Sequence, residues 1–476
     1  MEQGKPEAPT GTLAEFTASL NFADLPEKVV HETKRTILDS AGCALVGLSV
    51  DKGKIAVDLA RHLGGLPEAS ILAIGDRVSC PNAAFANGEL MNAMDFDTIL
   101  VPGHVSAFVI PATLALAECQ KASGKSLIVA VAAAHEMAAR VGASLRGFRE
   151  GKTYPPPRFG LGACVFGAAA GAGKILQFDR EQTANCFGLA GALSPQPIGA
   201  KSASLVNTPM FKYTSAGWIS QCGVTGALLT ERGYLGDTTI LDGELGFWNM
   251  YGSDICRWER MTDKLGDEWL MMNITYKPYP IAGSVIPVVE AFAQVVEQHD
   301  LSPDEIEKVI LKGEPMLQLP GLSTPSFRSH MDTQFKPFYG VAMIAYKVRA
   351  CDWQDQTTMK DPKISEFMKR VSFEPYPKFD ETRKQEMAGG LTYVVKKPAA
   401  AEVVARGQVF KGEVEYHKWG PSNIESMRTG DEELVVKFRM NAGKMLPSQK
   451  IDKAIEYIWG LEKQDDVTEL SALLSL

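Results

Sequence analysis

The sequence predicts a mainly α-helical protein of two domains, in which both chain ends build one all-helical domain and an α+β domain between them forms a lid. Three observations carry this prediction. The chain has 476 residues, too many for one ordinary core, and 45% of them are hydrophobic. Helical periodicity dominates the first half, and short β-branched runs occur only later. We therefore expect the helical domain at residues 1–270 and 430–476, with the lid at 271–429.

The first part of the chain shows apolar residues three and four positions apart, which predicts amphipathic helices. The clearest segments are KVVHETKRTILDSAGCALVGL, GKIAVDLARHLGG, SLIVAVAAAHEMAARVGASL and EQTANCFGLAGAL. The glycine-rich segment RFGLGACVFGAAAGAGKIL is not a nucleotide loop. A Walker A loop would need glycine at Ala168 and serine or threonine at Ile175. No strand precedes it either, so we expect a buried helix of small residues.

The character of the sequence changes after TYKPYPIAGSVIP. Short runs rich in β-branched residues, broken by glycine and proline, predict strands in IEKVILKG, RVSFEPYP, LTYVVKK and AEVVARGQVFKGEVEYHKWG. Helical segments such as FYGVAMIAYKVRA alternate with them. The last segment returns to helical periodicity, and we expect it to rejoin the first domain.

Composition excludes several function classes. The net charge is −8, and the 49 lysines and arginines are scattered, which argues against nucleic-acid or membrane partners. No uninterrupted apolar run has the length of a membrane span. The polar, proline-bearing first residues do not resemble a secretory leader, so we expect a cytoplasmic protein. The eight cysteines form no CxxC pair, which predicts reduced, mostly buried thiols and no metal site.

One stretch, MDFDTILVPGHVSAF, places two aspartates and a histidine between two predicted helices. Pro102 and Gly103 interrupt the helical pattern there, so the backbone is free to approach a ligand. Histidine is the natural proton carrier near neutral pH. Asp95 and His104 are therefore candidates for an active site. The alternatives are that the acids cap a helix and that the histidine belongs to the core.

Six segments in register resemble the MmgE/PrpD family, which contains 2-methylcitrate dehydratases, cis-aconitate decarboxylases and iminodisuccinate epimerases. They are ILDSAGCALVGL, MDFDTILVPGHVSAFVIPATLALAE, FGAAAGAGKILQFDREQTANCFGLAGA, KYTSAGWISQCGVTGALLTERGYLGDTTILDGELGF, YKPYP and KIDKAIEYIWGLEKQDDVTELSALL. The resemblance implies a helical domain built from both chain ends, an α+β lid, a homodimer, no metal or organic cofactor, and an active site in the cleft between the domains.

The resemblance also implies catalytic residues. Asp95 and His104 match the family acid and histidine. Lys212 in MFKYTSAG and Lys277 in YKPYP match two site lysines, and Tyr339 in FKPFYGVA matches a lid tyrosine. Each lysine alone would default to a solvated surface role. Together with an acid, an imidazole and a phenol they predict one site, in which Asp95 positions His104.

Four further residues are expected to bind substrate. Asp97 and Thr98 lie in the loop from Asp95 to His104, here called the acidic loop, and which family residues they correspond to is ambiguous. Arg158 stands where family members commonly have histidine, and Lys336 stands where they often have serine. Either cation could instead point to solvent. The apolar stretch IAGSVI after KPYP replaces ionisable residues and predicts a substrate less charged or bulkier at that end than 2-methylcitrate.

These residues predict a lyase that dehydrates or decarboxylates next to a carboxylate of a small di- or tricarboxylic acid. Buried lysines without an anionic ligand would be costly, which favours such a substrate. An isomerase or epimerase is the alternative, because returning the proton to the other face uses the same groups. A catalytically silent carboxylate-binding family member is the third.

Overall fold

The computed structural model describes residues 8–145, 160–195, 205–253, 256–388 and 394–476. Helices dominate its first part, as the periodicity predicts. They are α1 (Pro9–Ser19), α2 (Glu27–Gly47), α3 (Asp51–Leu63), α4 (Cys80–Asn92), α5 (Val105–Cys119), α6 (Gly124–Leu145), α7 (Cys164–Ile175), α8 (Arg180–Leu193), α9 (Ala216–Glu231), α10 (Phe247–Met250) and α11 (Glu259–Thr262). Two short strands, β1 (Ala69–Ser70) and β2 (Arg77–Val78), form an antiparallel pair that the sequence did not predict.

The small-residue segment is the central helix α7, packed between α5, α6 and α9. A Cβ on Gly167 would lie 2.4 Å from the carbonyl oxygen of Ala134, and one on Gly171 would lie 2.1 Å from Oγ1 of Thr113. Only glycine permits this approach of two backbones. The prediction of a buried helix is confirmed.

Helix α6 is, within the described ranges, the one helix long and apolar enough to cross a membrane by length and composition. In this fold 94% of its apolar window is buried inside the protein, among the other helices of the first domain. His135, Glu136 and Arg140 interrupt its apolar sequence. Helix α6 is therefore a core helix of the first domain.

The lid alternates helices with a four-stranded sheet. Its helices are α12 (Ile286–Gln298), α13 (Pro320–Ser323), α14 (His330–Thr333), α15 (Pro337–Ala345), α16 (Gln356–Met359), α17 (Pro362–Met368) and α18 (Pro377–Ala388). Its strands are β3 (Ile306–Gly313), β4 (Val371–Pro375), β5 (Ala399–Ala405) and β6 (Gln408–Val414). The order is β4-β3-β5-β6, with β4 parallel to β3 and the other pairs antiparallel.

The tight β5–β6 hairpin turns at Arg406 and Gly407, whose φ angles of 54° and 67° fit the two-residue turns that match strand twist. Helix α12 packs on β5 and β6. A Cβ on Gly412 of β6 would lie 2.4 Å from the carbonyl oxygen of Ala291, so glycine lets the helix approach the sheet.

One predicted strand is wrong. Of the segment LTYVVKK, only residues 394–397 lie in the described part, and these are extended without belonging to a sheet ladder. The backbone N–H groups of Val395 and Lys396 donate to the Glu386 carboxylate at 2.8 and 3.0 Å. A side chain therefore takes the donors that a neighbouring strand would need.

The last helices are α19 (Asp431–Ala442), α20 (Ser448–Trp459) and α21 (Thr468–Leu473). They share one hydrophobic core with the first part of the chain, from Leu13 to Tyr276, whereas the lid has its own core from Ile281 to Val414. The predicted fold class is confirmed. The change of core falls near the expected boundaries, whose exact residues stay predictions.

Candidate functional site

The loop between α4 and α5 carries Asp95 and His104. Asp95 has a φ of 58°, a left-handed conformation that aspartate tolerates better than most residues. Further along the loop, Ile99 exchanges two backbone hydrogen bonds of 2.8 Å with Thr275. This bridge fixes the loop beside the start of the lid, two residues before Lys277.

Asp95 lies between two lysine ammonium groups. Its Oδ1 is 2.6 Å from Lys212 Nζ, and its Oδ2 is 2.8 Å from Lys277 Nζ. Both lysine side chains are 0% exposed. Lys212 also donates to the Asn92 carbonyl at 3.0 Å. The structure thus brings together residues from three distant parts of the chain, while their catalytic roles stay predictions.

The charges in this cluster shift one another's pKa. Burial by itself would raise the pKa of Asp95, but Lys212, Lys277 and His104 outweigh burial and hold that pKa far below its ordinary value. Burial lowers the pKa of Lys212 to about 8, although the Asp95 charge opposes this. Lys212 is therefore charged at neutral pH and loses its proton only slightly above it.

His104 lies between two carboxylates. Its Nδ1 is 2.9 Å from Asp97 Oδ2, whereas its Nε2 is 3.5 Å from Asp95 Oδ1. The Asn92 side-chain amide donates a hydrogen bond of 3.3 Å from Nδ2 to Asp97 Oδ1. Asp97 makes the shorter contact with the imidazole and Asp95 the longer one, and the expectation that Asp95 positions His104 stays a prediction. The tautomer that donates Nδ1–H to Asp97 leaves Nε2 on the Asp95 side, and its role in proton transfer stays a prediction.

The ring of His104 also stacks on Tyr213, with centroids 5.5 Å apart and planes 22° from parallel. The Thr98 side chain faces Ser106. Its hydroxyl shares a hydrogen bond with Ser106, whose Oγ is 3.0 Å from His135 Nε2. Thr98 is 0% exposed, so its expected contact with substrate has no geometric support and stays a prediction.

Two predicted lid residues are buried but bonded to the lid backbone. The Tyr339 hydroxyl donates to the Trp353 carbonyl, and Lys336 Nζ donates to the Gly321 carbonyl. Burial raises the pKa of Tyr339 and lowers that of Lys336. The lid meets the acidic loop here through Gln354, whose Nε2 donates to the Met94 carbonyl at 2.8 Å. Among the described residues, neither Tyr339 nor Lys336 contacts Asp95 directly, and their roles in the site stay predictions.

Arg158 lies outside the described residues. Ile281, Val285 and Ile286 are at most 1% exposed and pack in the lid core. The expectation that the stretch IAGSVI shapes the substrate end of the site stays a prediction. Gly283 approaches the acidic loop, since a Cβ there would lie 2.4 Å from Ile99 Cδ1.

Sequence reasoning missed a second layer of buried polar residues. Lys52 Nζ is 3.1 Å from Glu89 Oε2 and 3.0 Å from Asn92 Oδ1. Because Asn92 also accepts from Lys212, it joins this pair to the Asp95 cluster. Glu89 and Asn92, polar residues in the largely buried helix α4, were the available signal, and nothing in the sequence marked Lys52.

A cavity of about 360 Å³ opens beside this layer. Its lining mixes polar groups with large apolar side chains, among them Lys52, Glu89, Ser215, Phe85, Met210 and Trp218. Lys52 thus connects the cavity to the charged cluster through Asn92.

In the described ranges, no three histidine, cysteine, aspartate or glutamate side chains are grouped as metal ligands. All eight cysteines are free thiols, five buried and three partly exposed, as expected.

Comparison with known proteins covers nearly the whole chain. The MmgE/PrpD N-terminal domain matches residues 11–255, and the MmgE/PrpD C-terminal domain matches residues 279–462. The cis-aconitate decarboxylase-like protein oryM of Aspergillus oryzae is 24% identical, with 98% of this chain and 97% of that protein covered. The cis-aconitate decarboxylase of Homo sapiens is 25% identical over 98% of this chain and 94% of its own length, and that of Mus musculus is 24% identical. The chain therefore belongs to the MmgE/PrpD family.

Proposed function

We propose that this protein is a lyase that decarboxylates or dehydrates a small di- or tricarboxylic acid next to one of its carboxylates. The observation that carries the proposal is the convergence of Lys212 and Lys277, both fully buried, on one carboxylate beside His104. Relatives along the full chain that are named cis-aconitate decarboxylases support the lyase class and make cis-aconitate the first candidate substrate.

Two ammonium groups in a buried site suit an anionic substrate. Charge that develops on a carboxylate during reaction is stabilised by preorganised cations, most strongly where water is excluded. Asp95 holds both ammonium groups in place before substrate arrives, since unpaired buried charges would be costly. In this proposal the incoming carboxylate binds the two lysines, whose charge Asp95 partly neutralises beforehand.

In decarboxylation, the bond to the departing carboxylate carbon breaks, and its electron pair delocalises through the unsaturated acid onto a second carboxylate. Carbon dioxide leaves, and a proton then adds to a carbon atom of the delocalised anion. Lys212 and Lys277 stabilise the charged second carboxylate, and His104 supplies the proton from Nε2. Asp97 stabilises the imidazolium form that this requires.

Dehydration uses the same groups in another order. His104 removes a proton from the carbon next to a carboxylate, the lysines hold the charge that forms, and the hydroxyl group leaves as water after taking up a proton. Tyr339 serves as the donor only if its bond to Trp353 breaks. Arg158, Lys336, Asp97 and Thr98 enter as substrate-binding residues in the same proposal.

An epimerase is the second candidate, and one observation favours it. Epimerisation needs two groups that exchange protons on opposite faces of a carbon, and Lys212, with its pKa lowered to about 8, adds a second such group to His104. Iminodisuccinate is the corresponding test substrate.

The experiment incubates purified protein with cis-aconitate, 2-methylcitrate or iminodisuccinate and follows carbon dioxide, alkene absorbance and optical rotation. Lys212→Met and Lys277→Met should each lower kcat/KM about 10²–10³-fold, as removal of one oxyanion donor does. Lys34→Met is the matched control, because Lys34 is buried and paired with Glu462 outside the site. Full turnover in both site variants would refute the electrostatic role.

Binding of these acids without any turnover would favour the silent carboxylate-binding alternative. The resemblance to cofactor-free enzymes predicts that activity survives EDTA. We also propose a homodimer, tested by sedimentation at micromolar concentration, and a cytoplasmic location.

A further inference from the structure

A histidine of the lid lies beside the charged cluster and has not entered the mechanism. His330 begins the short helix α14, which is tied to the segment before Lys212. Asp332 Oδ1 accepts the backbone N–H of Thr208 at 2.7 Å. This bond fixes the orientation of the helix next to the lysine loop.

The turn after α14 is tied to the other two parts of the site. Gln334 Nε2 donates to the Ala93 carbonyl at 2.8 Å, two residues before Asp95. The Gln334 carbonyl accepts the backbone N–H of Ala282 at 2.7 Å, shortly after Lys277. The stretch that carries His330 is therefore bonded to every segment that supplies a member of the charged cluster.

His330 is 2% exposed, and its Nε2 has no hydrogen-bond partner in the part of the chain that the structure describes. Buried polar groups are nearly always hydrogen-bonded, and an unsatisfied one carries a desolvation cost. His135 shows the usual case: it is equally buried, and its Nδ1 and Nε2 bond to Val131 and Ser106. The open nitrogen of His330 suits a partner that arrives with a ligand.

The charged groups around His330 come from three elements. Asp51 and Lys52 lie at the start of α3, Lys212 precedes α9, and Asp332 lies on the same turn as His330. Burial lowers the pKa of His330 to about 4, with Lys52 and Lys212 lowering it further and the two aspartates opposing them. The imidazole is therefore neutral at neutral pH and offers one N–H without adding a positive charge.

We propose that His330 is a further substrate-binding residue, whose Nε2–H donates a hydrogen bond to a carboxylate oxygen of the acid held by Lys212. The inference rests on the proposed function, because it takes the ligand to be the same di- or tricarboxylate. It adds a lid contact to a site whose cations lie on the lysine loops. A bound ligand thereby gives His330 Nε2 the hydrogen-bond partner that it lacks among the described residues.

The test measures binding of propane-1,2,3-tricarboxylate by calorimetry at pH 7, because this acid has neither the alkene nor the hydroxyl group that the reactions need. His330→Phe fills the same space without a donor and should weaken binding about 10–100-fold, the value of a hydrogen bond to a charged group. His330→Gln restores an N–H donor and should stay within about threefold of wild type. His299→Gln changes a lid histidine whose ring lies tilted against Phe410, with centroids 4.5 Å apart; it is the control and should bind like wild type.

Thermal unfolding without ligand separates binding from structure. His330→Phe should unfold at the wild-type temperature or higher, because it removes an unsatisfied buried nitrogen. Unchanged binding by His330→Phe, together with weakened binding by Lys212→Met, would place His330 outside the site and leave the proposed function standing. Unchanged binding by Lys212→Met would instead overturn the proposed function. Equal loss of binding in the Phe and Gln variants with a lowered unfolding temperature would make His330 a structural residue and overturn the inference.

Discussion

Asp95→Asn offers a direct test of the charged cluster. Asparagine has nearly the same shape and tolerates the left-handed φ of 58° at this position, so the substitution removes the charge with little added backbone strain. It leaves Lys212 and Lys277, both 0% exposed, without the carboxylate that lies 2.6 and 2.8 Å from them. Removing one partner of a buried ion pair costs about 3–5 kcal/mol, and we expect a loss of that size in the free energy of unfolding near neutral pH.

The loss should depend on pH with a definite sign. With Asp95 present, the pKa of Lys212 is already lowered to about 8. Without that carboxylate it falls further, so the variant sheds the buried charge as pH rises. The destabilisation should therefore be largest near pH 6 and smaller at pH 9.

The assay is urea unfolding followed by far-ultraviolet circular dichroism at pH 6, 7 and 9. Asp300→Asn is the matched control, because Asp300 is exposed, has a φ of 44° and should change stability by less than about 0.5 kcal/mol. A cost for Asp95→Asn below about 1 kcal/mol at pH 6, or one that grows toward pH 9, would refute the argument that Asp95 holds two charged lysines.

Three further predictions concern single groups. The kcat/KM for the identified substrate should fall above about pH 8, where Lys212 loses its proton, and Lys212→Arg should move this limb upward; a flat profile to pH 9.5 would contradict it. Tyr339→Phe should cost about 1 kcal/mol of stability and less than about tenfold in kcat, because its hydroxyl donates to the lid backbone; a loss of about 10²-fold or more would make it the proton donor. Burial lowers the pKa of His135 to about 4. As pH falls below about 6.5, the unfolded state therefore binds the extra proton before the folded state does. The free energy of unfolding should drop by about 3 kcal/mol by pH 4. His135→Gln should flatten that slope in urea midpoints, and an unchanged slope would count against it.

The fold was predictable from the sequence because its main signals are local. Helices α2 and α6 repeat apolar residues over five to six turns, and strands β3 and β5 lie in short runs with β-branched residues. In the described part of LTYVVKK no strand forms, because the backbone N–H groups of Val395 and Lys396 donate to Glu386, a partner that β propensity does not include.

The site was predictable only in part. The resemblance pointed to Asp95, His104, Lys212 and Lys277, but not to the 2.9 Å contact between Asp97 and the His104 imidazole, which depends on how the loop folds. Lys52 and His330 come from helices on different domains and have no local pattern that marks them. Their positions follow from tertiary packing, which spacing along the chain does not encode.

The return of α19–α21 to the first hydrophobic core has a consequence for synthesis on the ribosome. Lys437 on α19 pairs with Asp39 at 2.7 Å and donates to the Phe96 carbonyl at 2.7 Å, beneath the acidic loop. These helices leave the ribosome after the whole lid. More than 300 residues are therefore translated after Asp39 and the loop before Lys437 becomes available to bind them. During that interval the lid, with its own core, has all of its sequence available to fold. The loop that carries Asp95 and His104 therefore reaches its final support only after the second domain has been made.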